Sequence, residues 1–289
     1  VIMDEIEFKY YPHHLCHAAS AHYCSGFEDS VIIINDGVGE VASSTLYHIG
    51  ESGDFEELAR VELPHTLGGL YASVTEFLGF RAYMDEGKTM GLAAYGKPDP
   101  EIEAVFEEIA QDVPGEFGYK VNPRYRYNGK RTYGKKFTDL MVEKLGSPRS
   151  RSESAMNDPY PDIAYAAQKQ LEKFLFSQLE YSAGLNLSKN ACFAGGVHMN
   201  CKANGLLAES DYFENYFFQP ASSDNGIPLG AAMLLRQEYG DGKPLYPALN
   251  HLYYGPSYSD DEIEEVLNRC KLSYEKSPNI AKNVAELIA

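Results

Sequence analysis

No apolar run in this 289-residue sequence approaches the roughly 20 residues that a membrane-spanning helix needs, and no charged-then-apolar leader opens it. No membrane partner is expected, and the default address is the cytoplasm. Cysteine is scarce and scattered. The five, Cys16, Cys24, Cys192, Cys201 and Cys270, include no C-x-x-C pair, which argues against a zinc ribbon or a disulfide framework and leaves reduced, mostly buried thiols. Basic residues are outnumbered 25 to 42, giving a net charge of -17. Such a surface repels other polyanions, so no nucleic acid is expected as a partner. Walker order, G-x-x-x-x-G-K-[ST], is also missing. What remains is a 44% hydrophobic chain, long enough for one large domain or two lobes with a proper core. Acidity sets no subunit count, so a homo-oligomer stays open.

The most informative stretch runs from Pro12 to Glu40. His13 and His17 stand at i and i+4, and Ala18-Ala19-Ser20-Ala21 continues a small-residue helix, so both rings project from one face as a shared metal requires. His14 is their neighbour. Downstream, Val31-Ile32-Ile33-Ile34 is short, continuously apolar and β-branched, which suits a strand buried on both faces. It leads into a turn at Asp36-Gly37-Val38-Gly39-Glu40, where glycines present N–H groups to an anion and Asp36 can hold a cation.

Beyond the turn, segments 43–49 and 55–63 read as two further strands of an antiparallel meander, the way lobes of actin-like and sugar-kinase-like ATPases begin. Leu70, Val74, Phe77 and Leu78 mark a helix packed on that sheet. Residues 85–96 read as a glycine-punctuated, anion-facing loop carrying Lys88, Met90 and Gly91. From Pro114 to Pro161 the pattern breaks up. Lys120, Arg124, Arg126, Lys130, Arg131, Lys135 and Lys136 make a positive island there, expected to be a solvated insertion. Segment 162–183 has the periodicity of a long helix, and 190–194 that of a short strand ending in Gly195-Gly196, with a helix to follow, a phosphate-site arrangement. A last strand, 216–220, leads to Asp224, Asn225 and Gly226 and a second small-residue helix. That again puts a carboxylate at a strand's C-terminal end, where open α/β sheets bind ligands. Ser259 and Glu262 form a capping box for a helix to Cys270.

Five motifs, PHHLCHAASA (12–21), INDGVGE (34–40), KTMGLAAYG (88–96), AGGVHMNCKANG (194–205) and PASSDNGIPLGAA (220–232), taken in this order and at these intervals, resemble the O-carbamoyltransferases of the nodulation-protein and cephamycin-biosynthesis type. The resemblance implies an α/β fold of the actin/Hsp70-like (ASKHA, ribonuclease H-like) class, with mixed sheets flanked by helices. It implies an ATPase-like domain over residues 1–250 lacking its first hairpin, with 251–289 as linker and start of an absent YrdC-like domain, the chain's expected intramolecular partner. The activity implied is transfer of a carbamoyl group from carbamoyl phosphate, with ATP, through a carbamoyl-adenylate to a small-molecule hydroxyl. His13, His17, Asp36 and Asp224 match the family's metal ligands. Fe²⁺ is the leading candidate, with Zn²⁺ or Mg²⁺ as alternatives. Gly37, Gly39, Lys88, Met90, Gly91, Gly195, Gly196, Asn200 and Gly226 fall at nucleotide-contacting positions. His14 and Asp36 take the catalytic part, with His14 as the base for the acceptor hydroxyl.

Val1 is not an initiating Met and the helix begun after Ser277 stops at Ala289, so the chain is expected to be one portion of a larger protein. Two other readings compete. An actin-fold kinase or ATPase would use Mg²⁺ and not need the histidine pair; a nucleotide-binding regulatory module would not act on a hydroxyl acceptor.

Overall fold

The computed structural model describes residues 7–127, 134–240 and 248–289, and the chain divides into two compact units, Val1–Leu249 and Asn250–Ala289. The first unit is a mixed α/β layer structure. Helix α1 (His13–Ser25) is followed by the meander β1 (Ser30–Gly39), β2 (Ala42–Ile49) and β3 (Phe55–Glu62). Helices α2 (Leu67–Phe77), α3 (Glu86–Ala93) and α4 (Pro100–Ile109) come next, then a small hairpin, β4 (Ala110–Asp112) and β5 (Tyr119–Val121). Helices α5 (Asp139–Leu145) and α6 (Tyr160–Gly184) lead to β6 (Asn190–Ala194), α7 (Cys201–Ala208), β7 (Asn215–Phe218) and α8 (Ile227–Tyr239). The main sheet has the order β3-β2-β1-β6-β7. β1 pairs antiparallel with β2 and parallel with β6.

Strand alternation decides which helices cover which face. Ile32 and Ile34 point with Cys192 and Ala194 to the face that packs Ala18 and Ala21 of α1. Val31 and Ile33 point to the other, larger core with Leu70, Val74, Phe174 and Leu175 of α2 and α6. Because β1 is clothed on both sides, its first half is a continuous apolar run. The small residues of α1 have a second cause. Gly230 of α8 lies so close to the Cys16 carbonyl that no side chain fits, so α1 and α8 meet nearly backbone to backbone.

Three sequence expectations change. β1 does not turn at Asp36; it runs on to Gly39 with an irregular register between Asn35 and Gly39, and reversal comes at Glu40, whose φ is 56°. The sheet's hydrogen bonds to β2 outlast the two glycines. Segment 85–96 is not a loop but mostly helix α3, with Thr89, Leu92 and Ala93 buried. That i, i+3, i+4 spacing against α6 outweighs the roughly 1 kcal/mol that each interior glycine costs. Nor is 114–161 a solvated insertion. Tyr119, Val121, Tyr125, Phe137 and Met141 are core residues, and Arg126 and Lys136 are buried with them. Tyr119 ties the hairpin to the sheet, its hydroxyl 3.1 and 2.8 Å from the Ser43 and Ser44 hydroxyls. Lys120, Arg124 and Lys135 are exposed, while Lys130 and Arg131 lie outside the described residues.

The second unit holds α9 (Asp260–Arg269), opened by the Ser259/Glu262 capping box, and α10 (Ile280–Ile288); neither helix buries a residue. Among the described residues no helix is long and apolar enough to cross a membrane. All five cysteines are free, Cys16, Cys24 and Cys192 buried and Cys201 and Cys270 exposed.

Candidate functional site

Four side chains from three elements meet at one point. His13 opens α1 directly after Pro12, and His17 sits one turn later on the same face. Asp36 comes from β1, and Asp224 starts the short 3-10 turn (Asp224–Gly226) that leads into α8. One ligand atom from each of the four lies within 4.8 Å of every other. Ligands bound at about 2.1 Å to a common ion stand about 3–4 Å apart, so only small movements separate this arrangement from a coordination sphere. His13 Nε2 is 3.0 Å from Asp36 Oδ2 and 3.6 Å from Asp224 Oδ1. His17 Nε2 is 3.6 and 3.8 Å from the same two oxygens.

His17 supplies the test of fit. Its ring is wholly buried, yet neither nitrogen has a hydrogen-bond partner. An unpartnered buried polar group costs about 1–3 kcal/mol, and Nε2 faces two carboxylates at distances too long for hydrogen bonds. A divalent cation between them would satisfy it, and the set of two imidazoles and two carboxylates suits a first-row ion. Asp36 is held by its other oxygen, Oδ1, which accepts from the N–H groups of Gly37 at 2.7 Å and Gly196 at 3.1 Å. Burial alone would raise its pKa, but His13, His17 and the Gly37 N–H outweigh that and keep the carboxyl well below its usual range. The Asp36 hydrogen bond pushes His13 upward against a smaller opposing effect of burial.

Beside the cluster opens a cavity of about 360 Å³. Asp36, Gly37, Gly68 and Asp224 line it, and its walls carry Tyr71, Tyr83, Met84, Glu86, Met90, Leu171, Val197, Met199 and Asn200. Polar, acidic groups thus stand next to an open-mouthed apolar and aromatic space.

Of the residues singled out from sequence, Gly37, Met90, Gly196 and Asn200 line this cavity together with Asp36 and Asp224; Gly39, Lys88, Gly91, Gly195 and Gly226 do not. Lys88 is 3.0 Å from Asp85. A Cβ on Gly39 would stand 2.5 and 2.6 Å from His14 Cδ2 and Nε2, so that glycine makes room for imidazoles. Gly195 has a φ of 96° and abuts the Asn35 carbonyl, which only glycine tolerates. Gly226 crowds the Ala221 carbonyl at the start of α8. Asn200 caps α7 by accepting from Ala203 N at 3.0 Å. Its amide also pairs with Gln168, which accepts from the Tyr71 hydroxyl at 2.9 Å. His14 is buried and its Nδ1 is 2.6 Å from Thr45 Oγ1. Burial pushes its pKa down to about 4, and the ring lies off the cavity lining.

Sequence reading missed Gly68, Tyr71, Tyr83, Glu86, Leu171 and Met199 on the lining. The Gly68-Gly69 pair was a usable signal, since a Cβ on Gly68 would come 2.9 Å from the Gly37 backbone. It also missed His198, which is buried and held near a pKa of about 4 by burial. His198 Nε2 is 3.2 Å from Asn35 Nδ2 and must accept from it, so Nδ1–H donates to Asn204 Oδ1 at 3.2 Å.

The curated relatives share most of this chain. Nodulation protein NolNO of Sinorhizobium fredii is 32% identical over 290 residues, covering 99% of this chain and 40% of its own length. Nodulation protein NolO of Bradyrhizobium diazoefficiens is 32% identical over 282 residues, covering 96% and 48%. An uncharacterised protein of Synechocystis is 32% identical over 290 residues, covering 96% and 45%. The chain therefore spans about half the length of the curated relatives it matches. Among solved structures, the crystal structure of T. kodakarensis HypF is similar over 81% of this chain and 37% of that one, with 17% identity and a TM-score of 0.45. The model of the carbamoyltransferase N-terminus matches residues 2–233, and the chain belongs to that family.

Proposed function

We propose that this chain is the nucleotide- and metal-binding portion of an O-carbamoyltransferase, which passes a carbamoyl group from carbamoyl phosphate, with ATP, through a carbamoyl-adenylate to a hydroxyl of a small-molecule acceptor. The observation that carries the reading is the convergence of His13, His17, Asp36 and Asp224 at one end of a cavity. A bound divalent ion, Fe²⁺ first and Zn²⁺ or Mg²⁺ otherwise, would supply Lewis-acid polarisation to a phosphoryl or carbamoyl oxygen. The protein's part is to hold and shield. Asp36 is oriented by two backbone N–H groups, and Tyr71, Met90, Leu171 and Met199 give the cavity apolar and aromatic walls against which a base could pack. Such a two-part cavity fits a nucleotide, whose base is flat and whose phosphates seek a cation.

His14 enters this proposal as a positioning residue and not as the base. With Nδ1 on Thr45 and its ring under Gly39, it braces α1 against β1 behind His13. An antiparallel meander on one side of β1 and parallel strands on the other support an actin/Hsp70-like class of fold. Carbamoyl phosphate would be consumed by a YrdC-like domain of a longer, cytoplasmic protein.

The first experiment is anaerobic metal analysis of the purified protein beside His13→Ala/His17→Ala. Near-stoichiometric iron or zinc, lost in the variant, is expected. No transition metal in either, with Mg²⁺-dependent ATP binding that is equally strong in His13→Ala/His17→Ala, would overturn this reading in favour of an actin-fold kinase or ATPase.

A further inference from the structure

One wall of the cavity comes from a segment that no motif marked, and its key residue is Tyr83. The ring lines the cavity, yet the residue is 53% exposed, so core packing does not account for its position. Its backbone is left-handed, with φ at 63°, a conformation that bulky side chains avoid and that persists where surroundings enforce it. Glu86, itself on the lining, accepts from the Tyr83 N–H at 2.5 Å. The ring edge, Cε1, reaches to 3.8 Å from where a Cβ on Gly37 would stand, which sets it against the Asp36 end of the cavity.

Two members of the positive island converge behind this ring. Lys136 Nζ lies 5.3 Å from its centroid, and the Arg126 guanidinium sits beside its hydroxyl and against Gly69. Both cations are more than nine-tenths buried, in a chain whose net charge is -17. A guanidinium has donors and no acceptor, so any hydrogen bond between Arg126 and the phenol is donated by Arg126. That leaves the phenol O–H to be given elsewhere, and the cavity that Tyr83 lines is where a ligand could accept it. A donor backed by two cations suits an anionic oxygen. A phosphate brought to this end also meets the Asp36 and Asp224 carboxylates, and the positive charge beside Tyr83 offsets that repulsion.

We propose that Tyr83 is a substrate-contacting residue whose hydroxyl donates to a phosphate oxygen of the bound nucleotide, with Arg126 and Lys136 as the positioning cations that hold its ring. The proposal rests on the reading that the cavity takes a nucleotide. It is tested by measuring equilibrium binding of ATP and of adenosine, each with Mn²⁺ present, to the whole protein and to Tyr83→Phe, which keeps the ring and removes one oxygen. Mn²⁺ affinity is followed alongside and is expected to match between the two, and melting temperature is expected to fall by only a few degrees, for the lost Arg126–phenol hydrogen bond. The expected result is ATP affinity lower by about ten- to hundredfold in Tyr83→Phe, with adenosine affinity unchanged. Equal ATP affinity in the two proteins would overturn the role of Tyr83 while leaving the nucleotide reading intact. An equal loss for ATP and adenosine would overturn the phosphate contact, because the hydroxyl would then face the base or sugar. Binding of neither ligand by the unaltered protein would sink the nucleotide reading itself, and this inference with it.

Discussion

Replacing His17 with leucine should reverse sign with metal. In the metal-free protein, His17 is a buried imidazole with two unpartnered nitrogens, each costing about 1–3 kcal/mol. Leucine is close in volume and a good helix former, so His17→Leu should leave metal-free protein no less stable, and more stable by about 1–3 kcal/mol if the apolar side chain packs well. With metal at about 100 times its dissociation constant the unaltered protein gains about 2.7 kcal/mol, and the variant, short of one ligand, gains far less. For a unit of this size each kcal/mol moves the melting temperature by about 2–4 °C. The unaltered protein should therefore rise by about 5–10 °C on metal addition and overtake the variant. The assay is thermal unfolding of both proteins after chelator treatment, then with Mn²⁺, Zn²⁺ or anaerobic Fe²⁺. A chelator-treated His17→Leu protein that melts well below the chelated parent, with equal metal shifts in both, would show that His17 is a packing residue and refute the argument from its unpartnered nitrogens.

Other consequences follow from the packing around the site. His22 and His198 are buried, and burial lowers both from an ordinary 6.5 to about 4. Between those values the unfolded chain binds protons that the native state does not, so their contribution to stability falls as pH drops from 6.5 toward 4, by about 2 kcal/mol each at pH 5. Urea unfolding at pH 7.5 and pH 5 should record this, and His22→Asn should remove one share of the slope. Gly39→Ala would drive a methyl into the His14 ring and within 2.9 Å of His13 Cδ2. A stability loss of about 1–3 kcal/mol and weaker metal binding are expected by unfolding and metal titration. Gln168→Leu would strip partners from Tyr71, Asn200 and Glu172, and unfolding should report a loss of about 2–4 kcal/mol.

The parts of the fold legible in sequence were those where local pattern and tertiary demand agree. The run Val31 to Ile34 announced a strand covered on both faces, and His13 with His17 announced a shared helical face; the structure has both. Residues 86–93 are opaque in sequence because their glycines mask the spacing of Thr89, Leu92 and Ala93, whose partner helix α6 lies far downstream in the chain. Arg126 and Lys136 were opaque for another reason. Charge predicts exposure on average, and nothing local reveals that the segment folds under an aromatic wall. Several glycines have a steric cause in the fold itself. Gly39 and Gly195 are indispensable for space and for backbone angle, respectively, and neither touches the cavity.

The four gathered side chains differ sharply in how firmly they are held. His17 is sealed in the core, Asp36 is tied down by two backbone N–H groups, and His13 is mostly shielded, while the Asp224 side chain is 71% exposed. Three donors therefore form a fixed cup, and the fourth is a hinged clasp at its solvent edge. In the proposed metal site an ion would arrive or depart by displacing that one carboxylate, with the sheet and α1 undisturbed, so exchange should be far faster than unfolding. Occupancy of such a cup would then track the metal content of its surroundings and not be decided once, when the chain folds.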